Sequence, residues 1–101
     1  MANSLSIILD LEDEATKLLG KDIVEETEAS LVFEAALYDK PHKDFVNGVC
    51  QMTPENEKTI GVFYRLGIEA KASLPDDLVS GMYSRLFGKP IPSPQSLKSH
   101  N

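Results

Sequence analysis

The stretch from Thr53 to Leu74, T-P-E-N-E-K-T-I-G-V-F-Y-R-L-G-I-E-A-K-A-S-L, does most to limit what this chain can fold into. Thr53 is a helix cap, and Pro54 suits the first helical position, where its missing N–H costs nothing. Glu55 and Glu57 meet the positive end of the helix dipole. Ile60, Phe63, Tyr64, Gly67, Ala70, Lys71 and Leu74 then recur at spacings of three and four, and Val62, Leu66 and Ile68 widen the stripe. A helix over 54–73 with so broad an apolar face must be covered by other helices. Gly61 and Gly67 are the places where a neighbour can come close.

The flanking segments read the same way. Leu5, Ile8, Leu11, Ala15, Leu18 and Leu19 predict a helix over 4–19, with Gly20 suited to a left-handed C′ position. Asp22 followed by Glu25 has the spacing of a capping box, which predicts a helix over 23–38. The run Ala29–Tyr38 is apolar almost all round. Pro41 breaks it, and Phe45, Val46, Val49, Cys50 and Met52 predict a short helix over 42–51 that Gly48 weakens. Pro75, Asp76 and Asp77 start a last helix over 76–87, closed by Gly88. The reading is an all-α bundle of about five short helices in a single domain, 1–88, followed by a flexible tail, 89–101. With 101 residues the chain is long enough to bury an ordinary core.

Charge is unevenly spread. Residues 1–50 carry eleven acidic and four basic side chains, and residues 51–101 carry five and six, so the halves hold −7 and +1 of the net −6. A negative field argues against nonspecific nucleic-acid or anionic-membrane binding. Lys58, Arg65 and Lys71 draw only a sparse basic line. The single Cys50 excludes an internal disulfide, and no apolar run approaches the ~20 residues that span a bilayer, so the cytoplasm is the expected compartment.

Chemical motifs are scarce. The glycines are scattered rather than gathered into a phosphate-cradling loop. Nucleophilic catalysis would rest on Cys50 with His42, two residues without an orienting third. Glu25 and Glu28 form an E-x-x-E on one helix face, a spacing that can chelate a divalent cation. At these two residues the chain resembles helical nucleoside-triphosphate pyrophosphohydrolases of the MazG type. That resemblance implies a metal-dependent nucleotide hydrolase with a second acidic pair on a later helix. There the sequence has Glu55-x-x-Lys58, one carboxylate short.

The expectation is therefore a small acidic protein without catalytic equipment, cofactor or metal, acting on another protein as an adaptor, regulator or inhibitor. A second copy of the chain is one candidate partner. The candidate surface is Glu12, Asp13, Glu25, Glu26, Glu28, Leu31, Phe33, Tyr83 and Phe87. Two alternatives stand beside it: an acidic nucleic-acid mimic that inhibits a DNA- or RNA-binding protein, and a hydrolase using Glu25 and Glu28.

Overall fold

The computed structural model describes residues 4–39 and 52–92. Among them the chain is all helical: α1 (Ser4–Leu19), α2 (Glu26–Leu37), α3 (Glu57–Ser73) and α4 (Asp76–Phe87). The helix expected over 42–51, with His42, Gly48 and Cys50, lies outside the described residues, as does the chain beyond Pro92. No described helix is long and apolar enough to cross a membrane.

Helix α3 is the centre of the packing, lying most extensively against α2 and then against α1, while α4 closes the far side. The reason lies in its stripe. Ile60, Val62, Phe63, Leu66, Gly67 and Ala70 are all buried, and Gly67 sits where α2 crosses. A Cβ there would stand 2.7 Å from the Ala36 Cβ and 2.8 Å from the Phe33 carbonyl oxygen, so only glycine lets the helices approach this closely. Gly61 has no such role, because a Cβ on it meets nothing within 4 Å.

The helix starts differ from expectation in instructive ways. Helix α2 begins three residues late. Asp22 does not cap it but takes a left-handed φ of 56° in the preceding turn, a conformation expected of Gly20. The shift buries Val24 in the core, and Glu25 becomes the N-cap. Its backbone N–H donates to Glu28 Oε1 at 3.2 Å, so the capping box runs from Glu25 to Glu28. At α3 the N-cap is Asn56 rather than the expected Thr53, and the regular helix starts three residues late, with Thr53 and Pro54 in the turn before it. The Thr53 N–H donates to Asn56 Oδ1 at 2.7 Å, and the Asn56 N–H is 3.3 Å from Thr53 Oγ1. The regular helix follows from Glu57. Helix α4 starts after Pro75 and ends at Gly88, whose φ of 67° is the left-handed stop that glycine supplies without strain.

Candidate functional site

The aromatic residues of α2 and α4 are interior, which overturns part of the expected surface. Phe33, Tyr83 and Phe87 are 0%, 0% and 4% exposed. They pack tilted or edge-on against one another, with Tyr83 and Phe87 ring centres 4.8 Å apart and Phe33 and Phe87 6.0 Å apart. The near-continuous apolar run of α2 is largely consumed by α3 on one side and α4 on another, leaving Leu31, Leu37 and Tyr38 partly open.

The acidic candidates stay near the surface but do not converge. Glu12 pairs with Arg85 of α4, its Oε2 3.2 Å from Nε. Asp13 pairs with Lys17 one turn on at 3.1 Å. Glu28 is committed to its own helix start, and Glu25 and Glu26 are exposed on the first turn. Among the described residues, no group of three or more His, Cys, Asp or Glu side chains is placed to hold a metal ion. The Glu25–Glu28 pair, which carries the hydrolase resemblance, is here a helix cap.

What the fold does assemble is a groove where the end of α2, the last turn of α3 and the first turns of α4 meet. Its cavity is about 430 Å³, within the usual range for a ligand site. Leu37, Leu74 and Val79 give it aliphatic walls, and Asp76 and Ser80 stand on α4 at its edge. The remaining wall is the chain itself returning after Gly88: Ile91 and Pro92 line the groove, and the Tyr38 hydroxyl donates to the Pro92 carbonyl oxygen. Ile91 also packs on the core. Residues 89–92, expected as the start of a loose tail, are thus laid against the body as a strap.

Comparison with known protein families, curated proteins and solved structures finds no match.

Two side-chain pairs fix the groove. Asp39, left-handed at φ 59°, ends α2 and turns its carboxylate onto Lys71 Nζ of α3. Beneath lies a buried pair: Glu34, 2% exposed on α2, accepts from the Tyr83 hydroxyl of α4 at 2.6 Å. Burial pushes the Glu34 carboxyl above its ordinary value of 4.5, against the lowering influence of the Tyr83 hydrogen bond and the Lys89 charge. Tyr83 is raised as well, first by burial and then by its bond to Glu34. Tyr38 is raised by burial and by the negative charges of Glu34 and Asp76, so it remains a hydroxyl donor at neutral pH.

Sequence reasoning missed this site. Tyr38, Lys71, Asp76, Ser80 and Ile91 come from four separate segments, and only Asp76 and Ser80, one turn apart on α4, share a helical spacing. The nearest signal is K-P-I-P directly after a helix-ending glycine, since each proline fixes its own φ and holds the residue before it extended.

Proposed function

We propose that this chain works by binding another protein, as an adaptor, regulator or inhibitor, and that the groove between α2, α3 and α4 is its contact site. The observation that carries the reading is the groove itself: an aliphatic-walled recess of about 430 Å³ with a hydroxyl and a carboxylate at its edge. Side chains from a partner would gain by leaving water there, at roughly 25 cal/mol per Å² of apolar surface buried. A second exposed patch supports the same class of function. Leu5 and Leu9, one turn apart on α1, are 55% and 56% exposed. Their helix also carries Asp13 and Glu14, so a partner with an apolar strip bordered by Lys or Arg would complement it.

The test is capture from the native cell with the wild-type chain and with Ser80→Arg, which places a long charged side chain across the groove. A protein retained by the wild type and lost by the variant, at unchanged melting temperature, supports the reading. Equal retention by both would remove the groove from it.

A further inference from the structure

The groove already displays the chemistry it accepts. The chain bends at Gly88 and Lys89 and then runs through Pro90, Ile91 and Pro92 outside any helix, and the last two residues make one wall. Prolines at 90 and 92 fix φ near −65°, and Ile91, preceding a proline, is biased toward the extended region. Such a segment has little conformational freedom to lose on docking, and hydroxyls already hold its carbonyls: Ser84 Oγ donates to the Lys89 carbonyl at 3.4 Å, and the Tyr38 hydroxyl to that of Pro92. The tyrosine that supplies the donor, Tyr38, has its phenol proton held by burial and by nearby negative charge. Beside this wall the groove remains open, with walls formed by Leu37, Leu74 and Val79.

Resting on the function just proposed, we infer that the groove is a reader of extended aliphatic–proline segments in a partner protein, and that Ile91–Pro92 is its competitor in cis. The partner segment takes the place of the strap: its aliphatic side chain enters where Ile91 packs, and its proline carbonyl accepts from Tyr38. Asp76, which has no ion pair among the described residues, stands at the edge and favours a Lys or Arg flanking that segment. Grooves that read preformed proline-containing chains use aromatic side chains, and Tyr38 is the aromatic of this one. Gly88, left-handed and with open space around its Cβ position, is the pivot on which the strap swings away.

The experiment titrates end-blocked K-P-I-P-S, with K-G-G-G-S as control, into the full chain while the Val79 and Ser80 amides are followed by NMR. It is repeated on Ile91→Gly/Pro92→Gly, in which the strap is loosened, and on Ser80→Arg. A strap closed about nine-tenths of the time weakens apparent affinity about tenfold, so the loosened variant binds the peptide about ten times more tightly than wild type. Ser80→Arg and the glycine control show no binding. Equal affinity in wild type and the loosened variant would overturn the competition, and binding of the glycine peptide would overturn the reading of proline. If light scattering shows wild-type dimers that the peptide splits, the strap of a second copy is the occupant and the partner-protein assignment falls. The capture experiment with Ser80→Arg separates the two levels. If that variant still loses a partner while the peptides fail, only the aliphatic–proline inference is lost.

Discussion

At the scale of single residues, two glycines of one helix have opposite consequences. Gly67→Ala drives a methyl group into the Ala36 side chain and the Phe33 carbonyl, and a backbone oxygen cannot step aside. Overpacking of this kind costs about 1–3 kcal/mol, which urea unfolding would register as a lower midpoint. Gly61→Ala meets open space and restores helix propensity, so it stabilises by about 0.5–1 kcal/mol. A reversed order would mean that α2 does not cross α3 at Gly67. Both glycines were legible as possible close approaches, but sequence alone could not choose between them. That choice depends on which side α2 occupies, a tertiary fact.

Glu34 gives the residue-scale pH dependence. Its native carboxyl titrates above its ordinary value because burial penalises the charge. The folded chain therefore holds the proton more tightly than the unfolded chain, and stability contributed by this group is complete below the ordinary carboxylate value. It is lost as pH rises through the raised native value. Glu34→Gln keeps an acceptor for Tyr83 and removes the titration. Its advantage over wild type should be absent in acid and should grow as pH rises toward neutral, read as a widening gap between urea midpoints. Parallel midpoints across the range would show that the carboxylate is not strained by burial. Glu34 stands alone in a run that is apolar almost all round, but nothing local in the sequence names its partner, since Tyr83 lies 49 residues away.

Among elements, the helix starts separate what local sequence decides from what packing decides. Asp76–Asp77 behave as their local chemistry dictates, and α4 has the expected bounds, whereas the cap of α3 moves from Thr53 to Asn56. The pair Asn56 and Thr53 carries the start of α3, so Asn56→Ala should cost about 1 kcal/mol, with loss of amide protection confined to the first turn. Asp22 had equally good credentials for α2 and does not cap it. Val24 needed the interior, and a cap at Asp22 would have placed it within a helical turn instead of the connection that carries it inward. The capping box then moves to Glu25 and Glu28, which gives those two carboxylates a part in the helix start.

At the scale of the molecule, a helical class, an α3-centred core and the α1 stripe from Ile8 onward could all be read from periodicity, whereas Leu5, expected on that stripe, is 55% exposed. The groove could not, because its walls meet only after α2, α3 and α4 are assembled and the chain has doubled back past Gly88. The expected aromatic surface failed for a related reason: a helix apolar on every side signals several neighbours as readily as an unsatisfied face. The cross-molecule pair of Glu12 with Arg85 is mostly in water on the arginine side. Arg85→Ala should therefore lower stability by less than about 1 kcal/mol, and the difference should shrink further in high salt.

The buried Glu34–Tyr83 bond also selects one arrangement among several. Leucines, valines and phenylalanines can meet in many registers at similar cost, and a helix as uniformly apolar as α2 offers little to choose among them. One carboxyl and one phenol in the interior change that, because any register that separates them strands two polar groups away from water. A Glu34→Leu/Tyr83→Phe chain, with both polar groups removed, should retain much of its thermal stability. Its amide spectrum should nevertheless broaden, and it should bind a hydrophobic dye, as α2 and α4 exchange between alternative alignments. The pair would then act less as an adhesive than as a keyway.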